Sequence, residues 1–494
     1  MNRAPLPFRM AESLSLRRPI QRVAFCILAV AAIGCVAAWL WRCLCLFPIH
    51  GWNEVRLAPI FQWLYFGSPY PGANAGPATT WIYGPLPLVA LSPIAFARSA
   101  AEALMIAAVL NLCLTISAIG AVCFGFRCSG QCPPRVVRFA ATLACIALWP
   151  GTTFRFFQAD NVGVVCGLWS LLFLHRCVTS RGQWLAAATC GAALLCKQTL
   201  IGLFVAQMVW VYLQSGRAAS LAHGRRTVIC VLSGFGLAAI AWGPRNLAYH
   251  LVALPARLPW VDSAAARIAL YWPDLIFHFG LPALLLACFG RQWWRRESPW
   301  QLPVLAFLAT APLSLMAFFK IGGSTNSLHG ALFLLPFACT QIFGEARGRA
   351  FRTAAACAIA GLAALGQLIL VAPGTWTPRI RHLTEGDLLT RQLRGELLLA
   401  WHPLITFFAE HRIDETDDGM LIRSLAGDGV RRDQAYLPPR FHALAMRKGE
   451  SDWGMARSLV PAGAQVSDHG LWTVYSWSAA PVPAAHRDSS QAPH

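Results

Sequence analysis

The sequence predicts an all-α polytopic membrane protein of about 11 transmembrane helices that carries a small extracytoplasmic α/β module at its C-terminal end. Three observations predict it. Apolar stretches near spanning length divide residues 1–373, charged residues are only 13% of the chain and mean hydropathy is +0.50, against about 25% charged in soluble domains. The arginines of this part gather in every second connection, as the positive-inside rule requires of cytoplasmic loops. Beyond residue 373 the texture changes, and 14 of the 22 acidic residues fall in the last 121 positions.

Taken in order, the first span covers 22–47 behind Arg17, Arg18 and Arg22. Its apolar run is too long for a signal-peptide core, and Arg17-Arg18 lacks the rest of an export signal, so it reads as an uncleaved anchor. Further spans are expected at 102–126, 139–155, 161–175, 184–196, 199–213, 228–243, 273–290, 301–319, 327–343 and 353–373. Arg127, Arg135 and Arg138, then Arg176 and Arg181, then Arg217, Arg225 and Arg226, then Arg291, Arg295 and Arg296, then Arg347, Arg349 and Arg352 mark the inner connections. The alternation holds if the run 85–97, punctuated by Pro85, Pro87 and Pro93, lies along the outer interface instead of crossing. The expected location is the inner (plasma) membrane, with the N-terminus cytoplasmic and the C-terminus outside.

The last segments complete the organisation. Residues 374–480 read as a soluble extracytoplasmic module with turn signals at Gly386, Gly419, Asp428-Gly429 and Pro438-Pro439, and 481–494 read as a disordered tail. Leu397 to Phe408 is apolar, short and interrupted by His402-Pro403, which suits a buried segment better than a twelfth span.

Composition also excludes. The net charge of +19 comes from basic loops facing an anionic inner leaflet, and no soluble stretch interleaves basic with aromatic residues as a nucleic-acid surface does. All 17 cysteines precede residue 358 and most lie in spans, where they act as small packing residues. Cys128 and Cys132 have neither a histidine nor a second cysteine pair beside them, so no metal site is assigned there.

Chemistry is sought in the outer loops. Residues 48–100 form the longest connection, and Val55, Ile60, Phe61, Leu64 and Tyr65 recur at near-helical spacing behind Asn53-Glu54. This predicts an interfacial helix with Glu54 in its first turn. Glu54 is there either to complement the helix dipole or to serve as a general base. Outer carboxylates are few: Glu54, Glu102, Asp160, Asp262 and Asp274.

The strings that follow carry a resemblance. Glu54 and its helix, then Gly67-Ser68-Pro69-Tyr70-Pro71 and Tyr83-Gly84-Pro85-Leu86-Pro87-Leu88, resemble the first outer loop of the GT-C glycosyltransferases, which use polyprenyl-phosphate sugars. The similarity is to the bacterial mannosyltransferase branch called glycosyltransferase family 87 in particular. Phe157 to Gly163 resembles that family's outer Gln-x-Asn turn, here Gln158-Ala159-Asp160-Asn161, and Lys320 to Leu328 resembles a late outer loop of such enzymes. The resemblance covers residues 22–373 and implies a GT-C-like fold. It also implies inverting transfer of a sugar from a polyprenyl-phosphate donor to a lipid, glycan or protein hydroxyl on the extracytoplasmic face. Glu54 would be the base. Many members have an aspartate or two adjacent acids where this chain has Asn53-Glu54, which weakens the case for a dicarboxylate metal site. No organic or redox cofactor is implied, and room is left for a divalent ion.

Cationic partners are expected in the same loops. Lysine is rare, three against 38 arginines, and Lys197 and Lys320 fall at outer span ends where positive-inside statistics disfavour them. Each either snorkels to the interface or holds the donor phosphate. Lys197 sits in a turn tight enough to bury it, so it needs an anionic partner. Lys320 precedes Gly322-Gly323, whose amides can approach an anion. Arg155 and Arg245 with Asn246 are further candidates for phosphate binding, and Asp160 is expected to pair with Arg155. Gln158, Asn161 and Tyr83 complete the expected site; His278 and His329 read as interface residues. A transporter or flippase is the competing class, opposed by the lack of an inverted repeat, of acids inside spans, and by the large exported tail. A prenyl- or phosphotransferase would want closely spaced aspartates, which these loops lack.

Overall fold

The computed structural model describes residues 51–72, 77, 79, 81–125, 157–176, 180–280, 282–284, 286–287, 301–328, 330, 333–334, 380–428, 436–449 and 454–478, with isolated residues at 23, 30 and 37. The expected spans at 22–47, 139–155, 327–343 and 353–373 lie wholly or mostly outside these residues, as do Arg155 and much of the span at 273–290.

The helix expected in the first loop is α1, Gly51–Phe66, with Glu54 in its first turn. The run after Tyr83 forms α2, Leu86–Leu91, and a 3-10 turn, Ser92–Phe96; together they are too short to cross a bilayer. Three apolar helices follow: α3 (Ala100–Gly125), α4 (Ala159–Arg176) and α5 (Ser180–Leu194). Next comes α6, Ile201–Trp242, which the sequence reading divided into two spans. The division is real, and its cause is Gly216, whose φ of +83° suits glycine and breaks the helical path. The two arms run antiparallel, since Ser220 Oγ donates to Met208 O at 2.9 Å and His223 Nε2 meets Gln207 Oε1 at 2.9 Å. The expected loop over 214–227 is therefore a tight turn, and Arg217, Arg225 and Arg226 ride on the second arm.

Short pieces α7 (Pro244–Ala248) and α8 (Leu254–Arg257) flank a π-turn at Tyr249–Ala253. Then come α9 (Ala264–Leu275), capped by Ser263 Oγ, and α10 (Gln301–Phe318). Among the described residues three helical segments are long and apolar enough to cross a membrane: Ala100–Ala121, Gln198–Trp242 and Gln301–Phe318. Glycines let them close. A Cβ on Gly202 would sit 2.4 Å from Ala309 O, so α6 and α10 touch backbone to backbone.

The C-terminal part is mixed α/β. Helices α11 (Arg381–Gln392), α12 (Pro403–Glu410) and α13 (Asp417–Leu425) accompany a four-stranded sheet ordered β1-β2-β4-β3. Its strands are β1 (Leu397–Leu398), β2 (Ala443–Arg447), β3 (Gln465–His469) and β4 (Trp472–Ser476); β1 and β2 run parallel and the remaining pairs antiparallel. Pro403 opens α12, which explains why Leu397 to Phe408 folds back as a buried strand and helix.

Two cores organise the molecule. One lies among α3, α4, α5, α6 and α10. The other joins α1, α2 and α3 to the module, with Phe61 4.7 Å from Phe407 between ring centroids. Thus α1 is buried over most of its length, up to Gln62, and exposed in its last turn at Leu64, Tyr65 and Phe66.

The module also holds a pH-sensitive point. Burial pushes Asp414 up to about 7 from 3.8 against the opposing pull of Arg412, with Glu410 adding to the rise. The folded state keeps a proton that the unfolded chain releases, so this contribution is full below about pH 4 and is lost as pH rises towards 7. Melting curves of the protein should show a module transition that falls over that window, by an effect on the order of a few kcal/mol, and Asp414→Asn should flatten the slope.

Candidate active site

The turn after Tyr83 shapes the site. A Cβ on Gly84 would lie 2.0 Å from Leu195 O, and this closeness lets Gly84 N donate to Cys196 O at 3.0 Å and Leu86 N to Leu195 O at 3.2 Å. Two segments distant in sequence are pressed together, which brings Tyr83 to Lys197. Tyr83 is fixed from behind as well: Tyr70 Oη donates to its carbonyl at 2.9 Å, and Trp81 Nε1 donates to Tyr70 Oη at 3.2 Å.

Two cations converge on the Tyr83 ring. Arg56 Cζ lies 5.2 Å and Lys197 Nζ 5.7 Å from its centroid. Both side chains are buried. Burial opposes the Arg56 charge, but Tyr83, Asp418 and Asp160 outweigh it and hold the guanidinium more firmly protonated than usual. Lys197 Nζ donates to Asp160 Oδ1 at 2.5 Å, and Asn326 Nδ2 donates to Asp160 Oδ2 at 3.3 Å. Asp160 is the second residue of α4, where the helix dipole favours an anion. Asn53 Oδ1 accepts from Phe157 N at 3.0 Å and ties α1 to the same turn.

Glu54 faces the module. Its side chain is fully buried, and His402 Nδ1 lies 2.7 Å from Oε1. Its other oxygen, Oε2, has no hydrogen-bond partner among the described residues. His382 stands beside this pair, its ring centroid 5.5 Å from that of His402. The potential ligand atoms of Glu54, His382 and His402 all lie within 4.8 Å of one another, so among the described residues these three could share a metal ion. Glu54 and Arg56 leave α1 about 200° apart at 100° per residue. An aromatic bridge connects the two sides: Arg56 lies 5.0 Å from the Trp52 ring, and Trp52 5.4 Å from Trp401.

The other expected residues divide. Asn161 Nδ2 donates to Asn111 Oδ1 at 2.7 Å and clamps α4 to α3. Gln158 is half-buried next to Asp160, with Oε1 sealed from solvent. Lys320 is drawn elsewhere: Nζ donates to Pro255 O at 2.8 Å and Ala256 O at 3.2 Å, over the Trp260 ring. It caps the carbonyls of α8, because a flexible ammonium finds strong acceptors there. The Gly323 amide is spent on Lys320 O, and Arg267 takes the Gly323 carbonyl. The same loop thus contributes Asn326 to the site in place of Lys320. Arg245 stands exposed in α7, and no contact among the described residues brings it to the cluster.

Sequence reasoning missed Arg56, Asn326, His382, His402 and Asp418. One signal was readable for Arg56, an arginine on the outer side that breaks the positive-inside pattern as the two lysines do. The module contacts had none, since His402 and Glu54 are 348 residues apart. The acidic run Asp414 to Asp418 is buried, and Thr416 Oγ1 caps α13 by accepting from Gly419 N at 3.1 Å. Asp428 holds α13 against the 249–257 segment through Tyr249 and, at 3.1 Å, Arg257.

No protein-family model matches the chain, and no curated protein does. Among solved structures it is similar to the apo crystal structure of ArnT from Cupriavidus metallidurans, with a TM-score of 0.56 and 13% sequence identity over 92% of this chain and 98% of that one. At that identity the likeness is one of fold. It extends over the membrane helices and the C-terminal module together.

Proposed function

We propose that this protein is a membrane glycosyltransferase that moves a sugar from a polyprenyl-phosphate donor to an acceptor hydroxyl on the extracytoplasmic face, with inversion at the anomeric carbon. The observation that carries the reading is the pair of buried cations, Arg56 and Lys197, facing one tyrosine ring at the ends of apolar helices. Lys197 already holds Asp160, and Arg56 feels Asp418 and Asp160, so a lipid-linked phosphate would join or displace these carboxylates between the two cations. The fold likeness supports the class, since ArnT is a glycosyltransferase of the GT-C class.

In this reading Arg56 and Lys197 hold the donor phosphate and stabilise charge as the phosphate leaves. Asp160 and Asn326 orient Lys197 until the donor takes over part of its hydrogen bonding. Glu54 accepts the proton of the attacking hydroxyl. Of the two carboxylates that the sequence singled out, Asp160 spends both oxygens on Lys197 and Asn326, whereas Glu54 Oε2 has no hydrogen-bond partner among the described residues and His402 fixes the group through Oε1. The loop strings that resemble the family 87 branch make a mannose-like hexosyl donor the first to test.

Purified protein in detergent or nanodiscs should release polyprenyl phosphate from a polyprenyl-phosphate hexose only when an acceptor lipid or glycan is present. Release that never becomes acceptor-dependent, for hexosyl and pentosyl donors alike, would remove the transferase reading and favour lipid translocation.

A further inference from the structure

We infer that Glu54, His382 and His402 form a binding site for one divalent transition-metal ion of the zinc class, joining the membrane part to the C-terminal module. The site shares Glu54 with the functional reading above, but metal binding does not require that transfer take place.

Three features carry the inference. The donor set is one carboxylate oxygen and two imidazole nitrogens, all buried and all within 4.8 Å of one another. Zinc bonds of about 2.0–2.2 Å place ligand atoms roughly 3–3.6 Å apart in a tetrahedron, so only side-chain adjustments of about an ångström are needed. Two histidines with one glutamate suit borderline metals, whereas calcium and magnesium favour all-oxygen shells. Next, hydrogen bonding alone leaves the group incomplete, because buried Glu54 Oε2 has no hydrogen-bond partner among the described residues. An orphaned buried acceptor costs about 1–3 kcal/mol, and a cation on that side of the carboxylate removes the cost.

Finally, the surroundings are preorganised. Trp472 Nε1 donates to His382 O at 3.2 Å, and the Trp472 ring packs 5.0 Å from that of His402. The sheet therefore holds both histidines, one just after the start of α11 and the other preceding α12, while α1 supplies the carboxylate. With Oε2 on the ion, Oε1 is the oxygen left for an acceptor, freed when the His402 imidazole turns from it to the metal. Three protein ligands leave a fourth position open, the arrangement of zinc sites that bind a further oxygen.

The test is metal binding by the full-length purified protein, stripped with chelator and titrated with Zn2+ and Co2+. The expected result is about one ion per chain, a rise in thermal midpoint on adding Zn2+, and a Co2+ absorption spectrum without thiolate bands, which excludes the chain's cysteines. Glu54→Gln, His382→Ala and His402→Ala should each weaken binding by at least about 10- to 100-fold, the loss that even outer-shell substitutions cause. His469→Ala, an exposed histidine of the same module, should bind as wild type. Wild-type protein that gains neither stoichiometric metal nor thermal stability overturns the site, and this reading needs no variant to fold. Equal affinity in the three ligand variants overturns it too. The transfer assay fails or succeeds separately: metal binding with full activity in Glu54→Gln removes the base and leaves the site, and the converse outcome leaves the base alone.

Discussion

Lys197→Met is expected to destabilise the protein by about 3–5 kcal/mol, because it strands a buried carboxylate. Asp160 is 1% exposed and takes its short 2.5 Å hydrogen bond from Lys197. A methionine fills the volume and keeps the stem, yet offers Asp160 no charge. Adding Asp160→Asn should recover most of the lost stability, since replacing both members of a buried pair with neutral groups is often near neutral. Donor affinity separates the structural role from the proposed one. If Lys197 holds the donor phosphate, the double variant folds but binds polyprenyl-phosphate sugar weakly, with KM for donor raised and stability restored. Thermal melts and donor-binding isotherms on the two variants measure both quantities. Recovery of stability and donor affinity together would make Lys197 a structural partner of Asp160 and nothing more.

This pair illustrates what the chain declares about itself. A lysine between two closely spaced apolar runs has little room to reach water, so burial and an anionic partner follow from spacing alone. The partner was harder to name: Arg155, the neighbour expected for Asp160, lies outside the described residues, and the ion pair seen among them joins the start of α4 to the turn after α5. The α1 helix and its acidic first turn were legible from the apolar Val55, Ile60, Phe61, Leu64 and Tyr65 behind Glu54, although the helix is buried over most of its surface and not amphipathic. The split of α6 was legible from its basic middle, though not the tightness of the turn that Gly216 permits.

Other features had no local signature. Lys320 looked like an anion ligand beside two glycines, but carbonyls at the end of α8 lie within reach of its stem, and which acceptor wins is decided by tertiary packing. The module's share of the site was hidden for the same reason. His402-Pro403 could be read as a helix start, yet nothing in a short polar string tells which face of α1 it will meet more than three hundred residues away. The sequence therefore indicated the residues of the membrane part better than those of the C-terminal module.

Glu54→Gln should lower turnover by roughly 10²- to 10⁴-fold, the usual contribution of a general base. The substitution is nearly isosteric, and a glutamine Oε1 still accepts from His402, so folding should change by about 1 kcal/mol or less. What the amide cannot do is take the acceptor's proton. KM for the donor should stay near normal, because the phosphate is assigned to Arg56 and Lys197 on the other side of α1. A second comparison separates proton transfer from the loss of a bound ion. His382→Ala removes a proposed metal ligand but leaves the carboxylate, so Glu54→Gln should fall well below it in kcat. Equal losses in the two variants would assign the effect to the ion, and near-normal transfer by Glu54→Gln would remove Glu54 as the base. Asp160 then becomes the carboxylate to test, with Lys197 released from it by the incoming phosphate.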